Sequence, residues 1–212
     1  MYIIALMAEK KEKNWYISLM APNQKGAGFA WLDPTRLYAN AQALQDCIAD
    51  LLEPFDASEI DLVAGIDSVG FILGTGIAIK LNKPMLAIRK KGGLCVKTFG
   101  EKYVDYQKTP KELEIRQDAF PEGTKVLIVD QWIETGGTMQ AAVNLVERLK
   151  GKVAGMAAIA IESNKHEKAK ELTMKYKCSH VIPSHLQSQI DNQYLESFKV
   201  FEDGKAGYAY NP

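Results

Sequence analysis

Apolar residues in this chain fall into short unbroken runs separated by stretches with helical spacing. Val126, Leu127, Ile128 and Val129 are contiguous and β-prone, the pattern of a strand covered on both faces in a parallel sheet, since a half-exposed strand would alternate. Ile60–Gly65, Pro84–Ile88, Val153–Ile161 and the short His180–Pro183 read the same way. Between them the apolar positions change period. Met139, Ala142, Val143, Leu145, Val146 and Leu149 line one helix face, Gly70–Leu81 forms another helix, and Lys165–Tyr176 an exposed one. Strands alternating with helices of this length predict an α/β fold: a doubly wound, mostly parallel sheet flanked by helices.

Upstream, Asp33 is placed to cap and Pro34 to open an amphipathic helix over roughly Thr35–Leu52. Tyr2–Met7 and Trp15–Met20 are apolar and flank the charged stretch from Glu9 to Asn14, predicting an N-terminal hairpin that serves as a small hood, followed by a loop over Pro22–Gly28. The segment Gly92–Pro110 shows poor periodicity and predicts a long loop, which in compact domains is often a lid. Lys111–Asp118 then reads as the strand closing that flap. An Asp203-Gly204 turn between FKVFE and KAGYAY predicts a terminal hairpin. The 212 residues are read as one domain, with 1–33 as the hood and 92–118 as lid loop and flap.

Chemistry concentrates after the strand at 126–129. Polarity starts abruptly at Asp130, and Thr135, Gly136, Gly137 and Thr138 open the next helix. The first turn of a helix leaves backbone N–H groups unpaired and carries partial positive charge, so a phosphate can bind there without a lysine. Glycines let the backbone approach the ligand, the threonine hydroxyls add donors, and an acid at the strand end suits the hydroxyls of a sugar. The same residues also fit a ligand-free strand, glycine turn and capped helix. No Walker A lysine follows the glycines and no GxGxxG pattern is present there, which disfavours those two phosphate-binding classes. Arg89, Lys90 and Lys91 stand at the carboxyl end of another predicted strand, the side on which open α/β sheets bind ligands.

Charge narrows the partners. Lys plus Arg and Asp plus Glu each number 26, leaving no global electrostatic case for nucleic acid or an acidic membrane surface. Cys47, Cys95 and Cys178 are scattered without ligand spacing, and the three histidines lack it as well, so no protein-ligated metal is expected and the thiols suit a reducing compartment. The apolar start is too short for a signal peptide or a membrane span, and a cytoplasmic location is expected.

The segment VLIVDQWIETGGTM resembles the phosphoribosyl pyrophosphate (PRPP) motif of type I phosphoribosyltransferases, and LVAGIDSVGFILGTGIAIKLNKPMLAIRKK, Leu62–Lys91, is similar to the matching part of the adenine phosphoribosyltransferases. The likeness covers roughly Gly26 to Glu162. It implies transfer of ribose 5-phosphate from PRPP to a purine, adenine favoured, giving a nucleoside monophosphate and pyrophosphate in purine salvage, with Mg2+ held mainly through PRPP, pyrophosphate and water. It also implies a homodimer. By the same resemblance, the backbone of Glu134, Thr135, Gly136, Gly137 and Thr138 takes the 5′-phosphate, while Asp130 and Gln131 take the ribose hydroxyls. Asp67, Ser68, Arg89, Lys90 and Lys91 surround the diphosphate, Phe29 stacks on the base, and the catalytic Asp105 beside Tyr106 in the lid orients the base or exchanges a proton with it. Four positions depart from the pattern: Gln131 replaces the second motif acid, Glu134 a small residue, and Val69 and Ala30 each an arginine. They leave a second reading open, a PRPP or nucleotide sensor with little or no catalysis.

Overall fold

The computed structural model of the chain describes residues 13–24, 30–105 and 107–183. The expectations for Tyr2–Met7, Gly26, Phe29, Tyr106, His185 and the tail from Tyr194 lie outside the described residues. Trp15–Leu19 is a 3-10 helix where a strand was expected. Tyr16, Ile17, Leu19 and Met20 are all buried, a spacing that suits a helical turn rather than alternation. Polar tethers fix the turn: the Tyr16 hydroxyl donates to Asp50 at 2.7 Å and Trp15 Nε1 to Asp46 at 2.9 Å.

The antiparallel hairpin lies one element later, between β1 (Ala21–Gln24) and β2 (Ala30–Asp33), with Ala21 opposite Asp33. Pro22 therefore belongs to a strand and not to the expected loop. The helix expected over 35–52 is two, α1 (Thr35–Tyr38) and α2 (Ala41–Leu52). Asn40 breaks it by turning extended and accepting the Ala43 N–H at 3.0 Å, because a short amide side chain favours capping over continuing a helix. Asp33 does accept the Thr35 N–H, at 3.0 Å.

The central sheet is built from β3 (Leu62–Ile66), then α3 (Gly70–Leu81), β4 (Met85–Lys90), β5 (Thr98–Val104), β6 (Pro110–Arg116) and β7 (Lys125–Val129). After β7 come β8 (Trp132–Ile133), α4 (Gly137–Arg148), β9 (Lys152–Ala158), β10 (Ala160–Ile161), α5 (Glu167–Lys175) and β11 (Cys178–His180). The strand order is β11-β9-β7-β3-β4-β6-β5, parallel from β11 to β4 and antiparallel at β6 and β5.

Alternation along the strands divides the core into two layers. Val63, Leu127 and Val129 point to the side of α2 and α3 with Leu51, Leu73 and Ile77, whereas Ala64, Ile66, Val126 and Ile128 point to α4 with Val143, Leu145 and Val146. β4 and β7 flank β3 on opposite sides, so connections leave β3 and β7 in opposite directions and open a crevice at their carboxyl ends.

The segment 92–110 is only in part the long loop expected. Its second half is β5, paired with β6 from Thr98–Arg116 to Val104–Pro110. Phe99 and Tyr103, on one face of β5, pack against the layer that contains α4. Arg148 reaches back, its guanidinium 4.4 Å from the Phe99 ring, and Asn144 donates to Glu101 at 2.8 Å. The hairpin thus lies along α4, over the crevice.

Candidate active site

The crevice is a cleft of about 400 Å³. Its floor is the end of β7. The Asp130 N–H donates to Ala157 O at 3.1 Å, extending the β7–β9 ladder past the strand and fixing where the carboxylate emerges. Burial pushes that carboxyl up to about 7, against the opposing pull of the Gln131 amide and the charge of Lys90. The Gln131 N–H donates to Asp130 Oδ1 at 2.7 Å, and Gln131 Oε1 accepts from the Tyr38 hydroxyl at 3.1 Å. Gln131 is therefore anchored at the cleft by α1.

Trp132 and Ile133 form β8, paired in parallel with β10. Trp132 Nε1 donates to the buried Glu162 at 2.6 Å, and Glu162 N–H donates to Ile133 O at 2.8 Å. These bonds hold the chain firmly until Glu134. The turn that follows depends on Gly136, whose φ of 82° lies in the left-handed region, so that α4 starts at Gly137 beside the cleft, which Gly136 and Thr138 line. Thr135 Oγ1 lies 3.4 Å from the Gly137 nitrogen. A Cβ on Gly137 would stand 2.5 Å from Val104 O, so the hairpin backbone seats directly on this glycine.

The opposite wall comes from the β3–α3 turn. Asp67 N–H donates to Ile88 O at 2.9 Å, and the peptide between Asp67 and Ser68 is cis. The Asp67 carboxylate, only 10% exposed, accepts from Arg89 Nε at 2.7 Å and has Lys90 Nζ at 4.0 Å. Arg89 is occupied behind Asp67 rather than lining the cleft, with its guanidinium also 5.9 Å from the Phe71 ring. Lys91 is outside too, paired with Glu112 at 2.8 Å.

Of the residues marked in the sequence, Asp67, Ser68, Lys90, Asp105, Asp130, Gln131, Glu134, Thr135, Gly136 and Thr138 line one cleft. Asp105 sits at the hairpin tip, where its Oδ1 accepts the N–H groups of Gln107 at 3.0 Å and Thr109 at 2.9 Å while Oδ2 lies 4.0 Å from Lys111 Nζ. It shapes the turn as well as facing the cleft. Sequence reading passed over Tyr103, Gln107, Lys111 and Trp132, which also line the cleft. The Tyr103 hydroxyl is pushed up by burial, partly offset by its hydrogen bond with Thr138. The signal for it was the Phe99-Tyr103 alternation of β5, diluted by Gly100 and two charged residues. Among the described residues no group of three or more His, Cys, Asp or Glu is placed to hold a metal, and no helix is long and apolar enough to cross a membrane.

Residues 34–193 match the family model of the phosphoribosyl transferase domain. The adenine phosphoribosyltransferase of Dinoroseobacter shibae is 40% identical over 152 residues, 71% of this chain and 83% of the relative. That of Thermobifida fusca is 39% identical over 138 residues, 65% and 78% of the two chains. Among solved structures, adenine phosphoribosyltransferase from Rhodothermus marinus superposes with a TM-score of 0.68 at 32% identity, covering 79% of this chain and 97% of the other. The Saccharomyces cerevisiae enzyme, complexed with adenine and an imino-altritol bisphosphate, gives 0.69 at 26% identity over 79% and 98%. The glycine turn that opens α4, the acid at the end of β7 and these likenesses agree: the chain belongs to the type I phosphoribosyltransferase family and is an enzyme of it.

Proposed function

We propose that this enzyme transfers ribose 5-phosphate from PRPP to adenine, forming AMP and pyrophosphate. The observation that carries the reading is the convergence in one cleft of the α4 phosphate turn, the carboxylate at the end of β7 and the β3–α3 turn. In the reaction the C1′–oxygen bond to the diphosphate breaks, and a bond from C1′ to a ring nitrogen of the base forms, releasing that nitrogen's proton. Charge at C1′ becomes positive on the way, so the protein's contribution is position and electrostatics. The amides of Glu134–Thr138 hold the 5′-phosphate, Asp130 and Gln131 orient the ribose hydroxyls, and the Asp67–Ser68 turn with Lys90 receives the diphosphate. An ionised Asp130 also favours the developing cation. In the empty cleft its carboxyl sits at about 7, and hydroxyl donors on the bound sugar draw it toward the charged form. Tyr103 and the hairpin exclude water that would otherwise hydrolyse the cation. Asp105 fixes the hairpin tip at the cleft and there orients the base.

Magnesium bound to PRPP would offset the charge of the diphosphate, and the Asp67–Ser68 turn and Lys90 would hold the diphosphate that carries it. The cleft's donor set fits that role better than a resident metal, because Asp67 is already engaged by Arg89 and Asp130 by a backbone amide. The free thiols at Cys47, Cys95 and Cys178 support a cytoplasmic setting, and the family resemblance supports a homodimer. Incubation with Mg-PRPP and adenine, guanine, hypoxanthine, xanthine or orotate, read by mass spectrometry, tests the proposal. AMP is expected as the dominant nucleotide. Another nucleotide as the main product refutes the base assignment.

A further inference from the structure

The cleft that takes this polyanion is itself acidic. Among the described residues its lining has two lysines, Lys90 and Lys111, against four carboxylates, Asp67, Asp105, Asp130 and Glu134, a net charge of −2 when all six are ionised. Such a lining repels a diphosphate unless positive charge acts from elsewhere. Magnesium supplies part of it. A second source adjoins the cleft. On the β5–β6 hairpin and the end of β4 a depression of about 430 Å³ is lined by Lys90, Lys91, Lys102, Pro110, Lys111 and Glu112. Four lysines against one carboxylate give it a net +3, in a chain whose formal net charge is +0.

The two features are continuous, because Lys90 and Lys111 line both. Strand pairing builds the groove: Lys102 stands opposite Glu112 on β6, and the next pair is Tyr103 with Lys111. Glu112 is engaged by Lys91 at 2.8 Å. The side chains of Lys90, Lys91 and Lys111 are 62%, 66% and 44% exposed, so they are open to solvent and to an approaching anion. Exposed charges of this kind add little as single contacts, but together they raise the local concentration of an opposite ion and its rate of encounter.

We infer that this groove is an outer capture site for the diphosphate end of PRPP, in which Lys102 and Lys91 meet the anion and pass it to Lys90 and Lys111 at the cleft mouth. The inference rests on the reaction proposed above, yet its test does not need turnover. Lys102 touches neither the phosphate turn nor the β3–α3 turn and is the residue to change. Calorimetric titration with inorganic pyrophosphate is compared for the wild type, Lys102→Gln and Lys102→Glu. At an ionic strength of about 20 mM the affinity falls about 3-fold for the first variant and about 10-fold for the second, and the differences shrink to within about 2-fold at about 500 mM, where screening is short-ranged. kcat/KM for PRPP follows the same pattern, with kcat unchanged. Equal pyrophosphate affinity in all three proteins at low salt overturns the capture site, as does a deficit that survives high salt. Salt-dependent loss of pyrophosphate binding in a protein that turns over no PRPP supports the groove and refutes the reaction; normal turnover with salt-insensitive variants does the reverse.

Discussion

Replacing Asp130 with asparagine is expected to abolish most activity while stabilising the empty protein above neutral pH. Burial at the end of β7 raises the Asp130 carboxyl from 3.8 to about 7, with the Gln131 amide and Lys90 opposing. In the unfolded chain the group keeps its ordinary value. Between these two values the native state therefore holds a proton that the unfolded state has released, and stability falls as pH rises through the window. The full interval corresponds to at most about 4 kcal/mol, and water in the open cleft reduces this to about 1–3 kcal/mol. Asparagine carries no such penalty at any pH. Urea unfolding of both proteins from pH 4.5 to 8 is the assay: the wild type should lose that amount relative to the variant across the range, most of it by pH 7. Parallel pH curves for the two proteins would refute a buried, proton-holding Asp130. In turnover the variant should lose on the order of 100-fold in kcat, the scale of removing a positioned charge from a developing ion.

Other substitutions separate the roles of the surrounding groups. Asp130→Asn should weaken PRPP binding more than Gln131→Ala, because Gln131 brings no charge and is partly tied to Tyr38; equal losses in titration would contradict that division. Gly137→Val places carbon where Val104 O stands at 2.5 Å, so the hairpin must lift and PRPP affinity drop by at least about 10-fold, roughly 1.4 kcal/mol. Unchanged affinity in the same titration removes the turn from the phosphate site. Arg89→Met takes the 2.7 Å donor from a carboxylate that is 10% exposed, and chemical denaturation should show a loss of about 1.5–3 kcal/mol. Trp132→Phe deletes the 2.6 Å bond to buried Glu162 and should cost about 1–3 kcal/mol in the same assay.

Most of the sheet was legible because buried strands write themselves as apolar runs, although β11 is Cys178–His180 and shares only His180 with the strand expected over His180–Pro183. Val126–Val129, the Gly70–Leu81 helix and the helix after Gly136 stand where the sequence puts them. The glycine turn that opens α4 was legible for a related reason: a helix start with a left-handed glycine has few other spellings. What escaped reading depended on partners remote in sequence. Trp15–Leu19 curls into a helical turn because Asp46 and Asp50 on α2 receive its polar atoms. Strand β5 forms because β6 pairs with it and α4 supplies Arg148 and Asn144 to its inner face, none of which shows in the local pattern of TFGEKYV. Tyr103 and Lys111 were missed for that reason. Arg89 and Lys91 illustrate the opposite limit. Both stand in the basic triplet marked by sequence, but the acids that hold them away from the cleft, Asp67 and Glu112, become their neighbours only after folding.

The most direct test of the account is 31P NMR of the protein incubated with Mg-PRPP and adenine. The signals of PRPP should decline while those of AMP and pyrophosphate rise in equal amounts, with no change when adenine is left out. PRPP signals that persist beside a working control enzyme, or that decay without AMP, would contradict the claim that this cleft joins the ribose to the base.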